Sequence, residues 1–462
     1  MALIKSISGI RGTIGGKPGE NLTPVDITLF AAAYGQWLKS TFPGKELSVV
    51  IGRDARVSGP MVSQLVAQTL SGSGIHVHDL GLSTTPTVEI AVPRLGAHGG
   101  IILTASHNPG QWNALKLLNE KGEFISEADG KKLMEIAEKN EFDFARVEQL
   151  GTITAHTGWI EKHIEAILGL PLVNAEAIRK AGFRVAVDAV NSTGGIAVPL
   201  LLEALGVKEI VKLYCEPNGQ FPHNPEPLPE HLTALSETVR DRQLDLGIVV
   251  DPDVDRLALV CGDGSMFGEE YTLVAVADYI LQHTKGNTVS NLSSTRALRD
   301  VTESYGMQYQ AAAVGEVNVV QKMKDTDAVI GGEGNGGIIY PELHYGRDAL
   351  AGIALLLSYL AEKRTTLSEL RKTYPEYFIS KNKIELTPSI NVDMVLEKIR
   401  EKYSGQPVNT IDGVKIEFDR EWVHLRKSNT EPIIRIYSES RNEHTANELA
   451  QRIMSDIREL TE

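Results

Sequence analysis

Cysteine is almost missing from this chain of 462 residues: Cys215 and Cys261 are the two it has. Two distant cysteines provide neither a disulfide framework nor the paired spacing of a zinc site. Excess positive charge is lacking too, since 60 acidic against 46 basic residues leave a formal charge of −14. That balance opposes long-range attraction to a nucleic-acid backbone or an anionic membrane, so neither is an expected partner. An anionic ligand would have to be captured by individual basic side chains. Long apolar runs are also absent. The most apolar helix-like run, Ala349 to Leu360, contains Ser358 and Tyr359 and is too short to span a bilayer. The opening MALIKSISG has no secretory apolar stretch, and the expected location is cytoplasmic. No G-x-x-x-x-G-K-[ST] loop supports P-loop nucleotide chemistry, and the lack of G-x-S-x-G weakens an esterase reading.

What is present reads as a soluble globular chain. Its hydrophobic fraction of 42% supplies several cores, and its length suggests three or four domains. A coarse repeat runs through the first 370 or so residues. One unit holds LSVVIGRD, IHVHDLG and GGIILTAS; a second holds FRVAVDAV, VKLYCEP and LDLGIVVD; a third holds NTVSNLS, MQYQAAAVG and TDAVIGG. Each run is short, apolar or β-branched, and closed by polar or glycine-rich residues, with helix-like stretches such as Pro60 to Ser71 and Pro199 to Leu205 between. This alternation predicts three similar α/β domains with parallel or mixed sheets. The last ninety residues differ. Ile384 to Leu386, KIEFD, WVHLR and IIRIYSE are strand-like, while Val392 to Tyr403 and Glu443 to Leu460 are helix-like, giving a small α+β domain. The expected domains are 1–150, 151–260, 261–368 and 369–462, with the last linker near Lys363 to Tyr377.

Ligands of such sheets bind beyond the carboxyl ends of strands, and the third strand of each α/β unit ends in an unusual polar loop. Thr104-Ala105-Ser106-His107-Asn108-Pro109 delivers a serine that could act as a nucleophile or carry phosphate, although such a turn also serves simply as a cap. Asp251-Pro252-Asp253-Val254-Asp255-Arg256 brings three carboxylates to one side if the chain is extended. Their repulsion calls for a cation, and oxygen-only ligands suit Mg²⁺. In the third loop, Gly332, Gly334 and Gly337 fit G-x-G-x-x-G, but the following IIYPE opens no helix, which argues against a dinucleotide site. Glu333 and Asn335 are instead candidates to hydrogen-bond sugar hydroxyls. Near the C-terminus, Arg426, Ser428, Asn429, Thr430 and Arg435 combine guanidinium groups, hydroxyls and turn amides into a candidate phosphate cradle.

With these four loops in this order, the sequence resembles the α-D-phosphohexomutase superfamily along its whole length. SGIRG with Arg11, and Asn113-Ala114-Leu115-Lys116, resemble further active-site segments of that family. The resemblance implies four domains around a central cleft and interconversion of hexose 6-phosphates and hexose 1-phosphates. Phosphorylated Ser106 would donate to the sugar, and the bisphosphate would reorient and return its other phosphate. Mg²⁺ would be held by Asp251, Asp253, Asp255 and Ser106. Arg11, His107, Lys116 and Arg256 would surround the reacting group, with either Lys116 or His107 as general acid or base. A hexose 1,6-bisphosphate would serve as activator, and the chain would work as a monomer or homodimer. The sugar loop Glu333-Gly334-Asn335-Gly336-Gly337 departs from the family's E-x-S-G-H. Glucosamine phosphate is the expected substrate, with glucose or mannose phosphate as the alternative. A haloacid-dehalogenase-like phosphatase using Asp251 as nucleophile, and a non-catalytic sugar-phosphate-binding protein, are the rival classes.

Overall fold

The computed structural model describes residues 3–6, 9–385, 391–427 and 433–461. Its contacts divide the chain into two units, one of 1–279 with 335–371 and one of 280–334 with 372–462. The first unit is built on two sheets. In the larger, the strand order is Leu3–Ser6, Gly9–Thr13, Trp112–Leu118, Gly99–Leu103, Ser48–Arg53, His76–Leu82, Ile153–Ala155. The first four strands are linked by antiparallel pairs and the rest by parallel ones, so the sheet is mixed. The helix Pro24–Thr41 opens with a Thr23–Asp26 capping box and proline in its first turn, which fixes where it starts. Its Phe30, Tyr34 and Leu38 join Val49, Ile51, Ile101 and Leu115 in one apolar core. The buried Tyr34 hydroxyl donates to the Leu118 carbonyl at 2.6 Å, satisfying a polar group that would otherwise cost stability.

The second sheet runs Leu257–Cys261, Leu246–Val250, Arg184–Asp188, Glu209–Leu213, with the first pair antiparallel. Leu246–Val250 is buried at every position, as a strand covered on both faces must be. The helix expected from Pro199 begins at Gly194. Pro199 therefore sits inside the helix rather than at its start.

The second unit contains the parallel strands Tyr309–Ala312, Asn287–Asn291 and Ala328–Glu333. It also contains an antiparallel sheet ordered Phe378–Glu385, Ile433–Ser440, Trp422–Lys427, Val414–Glu417, Val408–Asn409. Helices Val392–Lys402 and Glu443–Thr461 accompany this last sheet, whose core includes Ile399, Ile416, Val423, Ile436 and Ile453. The chain thus forms three α/β domains followed by an α+β domain. Between them, the stretch read as a linker carries a short helix, Leu367–Arg371, with Leu367 and Leu370 buried. No helix among the described residues is long and apolar enough to cross a membrane.

Candidate active site

The buried strand Gly99–Leu103 leads into the serine loop, where Ser106 has φ 50°. A non-glycine residue in this left-handed region stores about 1–2 kcal/mol of strain, so its surroundings must hold it. Arg56 does so. Its fully buried guanidinium donates to the carbonyls of Ser106 at 2.5 Å, Asn108 at 2.6 Å, Pro109 at 2.7 Å and Trp112 at 3.0 Å. Arg56 Nε pairs with Asp54 at 3.0 Å, and Asp54 also accepts from Thr104 Oγ1 at 2.6 Å. Thr104 Oγ1 in turn accepts the Ser106 N–H at 2.9 Å. Sequence reasoning missed both Asp54 and Arg56. The available signal was an Asp-x-Arg triplet directly beyond the strand Ser48–Arg53.

The aspartate loop is not extended, contrary to expectation. Val254 turns back with φ 64°, and Asp251 Oδ1 accepts the N–H groups of Asp255 and Arg256, each at 3.1 Å. An extended chain would carry Asp255 about 13 Å from Asp251. The turn instead gathers ligand oxygens of Asp251, Asp253 and Asp255 within 4.8 Å of one another, all three residues fully buried. Among the described residues, Asp253 Oδ1 and Asp255 Oδ1 have no hydrogen-bond partner. Buried carboxylate oxygens left open in this way fit a hard divalent cation such as Mg²⁺.

Ser106 Oγ donates to Asp251 Oδ2 at 2.8 Å and lies 3.4 Å from His107 Nδ1. Lys116 Nζ reaches Asp253 at 2.7 Å and Asp255 at 3.3 Å. Lys116 is carried by the strand Trp112–Leu118, which pairs with Gly9–Thr13 and so sets Arg11 opposite Ala114. Gly9 is required in this arrangement. A Cβ there would lie 2.1 Å from the Leu115 carbonyl oxygen, and its φ is 117°. Gly9, Arg11, Thr104, Ala105, Ser106, Ala114 and Lys116 line one small pocket. Arg347, also missed in the sequence, donates to Asp255 Oδ2 at 2.7 Å. Arg256 lies 4.0 Å from Asp255 Oδ1 and 3.9 Å from Glu226. The structure therefore brings together Arg11, Ser106, His107, Lys116, Asp251, Asp253, Asp255 and Arg256.

The electrostatics of this cluster follow from burial and crowding. Burial first, then Asp255 and Asp253, pushes the Asp251 carboxyl well above the usual carboxylate range. Burial would raise Asp255 too, but Arg347, Lys116 and Arg256 outweigh it and hold Asp255 low. Burial also works against the Lys116 charge, yet Asp253 and Asp255 prevail and raise it above an ordinary lysine. His107 is pushed down to about 2 by burial and by Arg256, which favours neutral imidazole. Arg11 is lowered by burial, then by Arg256 and, after the opposing pull of Asp253, by Arg347. Cations that repel one another beside a buried serine make a receptor for an anion such as phosphate.

The other candidates divide between the two units. Asn335 belongs to the first unit, where its Oδ1 accepts the Gly337 N–H at 3.3 Å. The neighbouring Gly336 accepts from the Leu257 N–H at 3.0 Å through its carbonyl, and a Cβ on it would lie 2.2 Å from Leu257 O. Glu333 belongs to the second unit, where its carboxylate accepts from Asn291 Nδ2 at 2.9 Å and from the Gly315 N–H at 3.2 Å. Also in that unit, Arg426 pairs directly with Arg435 across two strands, and Arg435 pairs with Lys383 across the next. Directly opposed residues share a sheet face, so three cations stand in a row, with Asp412 2.8 Å from Arg426. Lys383 was not foreseen. Ser428, Asn429 and Thr430 lie outside the described residues.

A buried serine beside a carboxylate trio and a set of cations has the groups that phosphoryl transfer requires. Comparison with known proteins agrees with this class. Four domains of the phosphoglucomutase/phosphomannomutase family match in order: domain I at 3–144, domain II at 161–264, domain III at 268–377 and the C-terminal domain at 383–455. The chain is 34% identical over 443 residues to a phosphoglucomutase/phosphomannomutase of Thermococcus kodakarensis, covering 95% of this chain and 96% of that one. It is 32% identical to a phosphoglucosamine/phosphogalactosamine mutase of Sulfurisphaera tokodaii, covering 98% of both. A crystal structure of a phosphoglucomutase/phosphomannomutase family protein from Burkholderia thailandensis matches with a TM-score of 0.83 at 26% identity, covering 98% of this chain and 95% of that one. The chain belongs to the phosphoglucomutase/phosphomannomutase family, within the α-D-phosphohexomutases, and is a phosphohexomutase.

Proposed function

We propose that this phosphohexomutase interconverts glucosamine 6-phosphate and glucosamine 1-phosphate through a phosphorylated Ser106. The observation that carries the mechanism is the Ser106 hydroxyl, 2.8 Å from Asp251 and held in a strained turn by Arg56. In the first transfer the bond from phosphorus to Ser106 Oγ breaks and a bond to a sugar hydroxyl oxygen forms. The hydroxyl proton leaves as Ser106 regains one. The second transfer reverses this at the other end of the reoriented bisphosphate, and hexose 1,6-bisphosphate would prime the enzyme. Arg11, Arg256 and Lys116 neutralise the moving group, and Arg347 orients Asp255. Mg²⁺ held by Asp251, Asp253, Asp255 and a Ser106 phosphate oxygen would offset charge on the transferring phosphoryl group.

Glu333 is compatible with an amino sugar, because its carboxylate can accept from an ammonium as well as from a hydroxyl. The Sulfurisphaera relative carries a hexosamine phosphate mutase name. The Thermococcus relative carries the glucose and mannose name, which makes glucose or mannose phosphate the second reading. Arg426, Arg435 and Lys383 would hold the non-reacting phosphate. The test is kcat/KM for glucosamine, glucose and mannose 6-phosphates with Mg²⁺ and the matching bisphosphate. A glucosamine value at least tenfold above the others supports the proposal, and a larger glucose or mannose value replaces it. Peptide mapping of phosphorylated enzyme must find the phosphate on Ser106; phosphate on Asp251 would restore the phosphatase reading.

A further inference from the structure

A second cluster of metal-ligating groups lies in the first unit, apart from the aspartate loop. It gathers Glu89 from the helix Thr85–Arg94, His163 from the helix Trp159–Leu168, and His344 and Asp348 from the segment leading into the helix Ala349–Lys363. His163 Nε2 lies 2.8 Å from Asp348 Oδ2, and His344 Nε2 lies 3.1 Å from the same oxygen. Suitable ligand atoms of the three residues all lie within 4.8 Å of one another. His163 is fully buried and Asp348 is 1% exposed. The other Asp348 oxygen caps its helix by accepting the Ala351 N–H at 3.0 Å.

The remote ring nitrogens are what single this cluster out. His163 Nδ1 is 3.0 Å from Thr87 Oγ1, and His344 Nδ1 is 3.4 Å from Glu89 Oε2. Neutral imidazole carries one N–H, but His344 has a carboxylate at each nitrogen. If Nε2–H donates to Asp348, the Nδ1 lone pair faces Glu89. Among the described residues, His344 Nδ1 is buried with no hydrogen-bond partner. Two arrangements remove the conflict: a second proton on the ring, or a cation bound by both Nε2 atoms and Asp348. In the second, each ring keeps its proton on Nδ1, directed at Thr87 or Glu89. That is the outer arrangement usual for metal-bound histidine. The cation would also offset the charge of the buried Asp348.

We propose that His163, His344 and Asp348 bind a first-row divalent transition ion, with Glu89 and Thr87 orienting the imidazoles. Two imidazole nitrogens and one carboxylate oxygen favour Zn²⁺ or Co²⁺ over Mg²⁺. Such an ion would fasten two segments 185 positions apart, His163 and Asp348, and through Thr87 and Glu89 would tie in the helix Thr85–Arg94. Metal-free full-length protein, with Mg²⁺ in excess to occupy the aspartate loop, is titrated with Co²⁺ and followed by visible absorption. The expected result is one Co²⁺ per chain with the intense bands of low coordination number, displaced by Zn²⁺. Affinity should fall at least tenfold in His344→Ala and remain within twofold in Asp253→Asn. Absence of such bands in the wild type overturns the proposal. So does equal binding by His344→Ala, or loss of binding in Asp253→Asn, which would move the ion to the aspartate loop. Should His344→Ala not fold, ¹⁵N shifts of the wild-type His163 and His344 rings decide. A change on Zn²⁺ addition supports metal ligation, while an unchanged imidazolium signal assigns the cluster to ion pairing and overturns it.

Discussion

Ser106 is confined by the backbone and by its neighbours together. Its carbonyl is bound by Arg56, its N–H by Thr104, and its hydroxyl by Asp251. Ser106→Ala keeps the backbone contacts and removes the hydroxyl proposed to accept the phosphoryl group. We expect no covalent phosphate by intact mass and a kcat at least about a thousandfold lower, since the two-step route depends on this nucleophile. Arg56→Met should leave Ser106 chemically intact while releasing its loop. Removing one member of a buried ion pair costs about 3–5 kcal/mol, so a lower melting temperature and a large drop in kcat should appear together in calorimetry and steady-state assays. Ser106 and the three aspartates were readable because each loop is a compact motif after an apolar strand. Asp54, Arg56 and Arg347 were not. The Asp-x-Arg triplet shows that Asp54 and Arg56 can pair but not what they hold, because the carbonyls that Arg56 binds lie at least 50 positions away, and Arg347 acts on a residue 92 positions away.

Secondary-structure elements explain how these side chains converge. Apolar runs such as Leu246–Val250 were legible, whereas Trp112–Leu118 was harder because buried Lys116 interrupts it. The turn at Val254 was invisible, since nothing in a valine announces a positive φ. Strand pairing adds what linear reading cannot: the row Lys383, Arg435 and Arg426 crosses three strands. Like charges directly opposed are unfavourable; Asp412 and Glu385 answer part of that charge, and a sugar phosphate would answer the rest. Arg426→Ala should therefore raise KM for the sugar phosphate and lower kcat/KM roughly ten- to a hundredfold, because a charge-assisted contact contributes about 1.5–3 kcal/mol. Wild-type kinetics would remove this strand from the site.

The same sheet contains His424, whose Nδ1 faces Ser293 Oγ at 2.9 Å and whose Nε2 faces the Asp412 carbonyl at 2.6 Å. Burial chiefly pushes this imidazole down to about 4, against the opposing pull of the Asp412 carbonyl; Lys415 and Arg426 add to the lowering and the Asp412 carboxylate resists it. The folded value lies below the unfolded one, so the unfolded chain takes up the proton first as pH falls. The stability contribution is complete above pH about 6.5 and declines between there and about 4. His424→Gln should flatten that decline by about 1–2 kcal/mol between pH 7 and 5, read from melting curves of both proteins. Equal pH slopes would mean His424 titrates alike in both states.

At the scale of the molecule, the aspartate loop joins parts of the first unit that sequence separates widely. The Asp253 carbonyl accepts the Thr85 N–H at 2.8 Å, and its carboxylate accepts from Thr85 Oγ1 at 2.5 Å and Lys116 at 2.7 Å. Asp255 receives Lys116 and Arg347. Segments matched to three family domains thus meet on one short turn. The order of the domains was legible from repeated strands and closing loops, but the division of the chain into two contact units was not, because it cuts between Gly334 and Asn335 inside one loop. A cation binding this turn only when it is folded must stabilise the unit by mass action, by about 2.7 kcal/mol at a concentration one hundred times Kd. For a chain of this size that corresponds to a rise of a few degrees in melting temperature. Mg²⁺ should therefore raise the wild-type midpoint progressively, with activity following the same titration. Asp253→Asn removes one charged ligand and weakens the grip on Lys116. Its apo midpoint should be lower, its Mg²⁺ response shifted to higher concentration by at least tenfold, and its turnover reduced in parallel. Differential scanning calorimetry across a Mg²⁺ series, run beside steady-state kinetics, reads all three. A variant whose midpoint and activity answer Mg²⁺ as the wild type does would show that Asp253 serves the fold through Thr85 and Lys116 and takes no part in holding the ion.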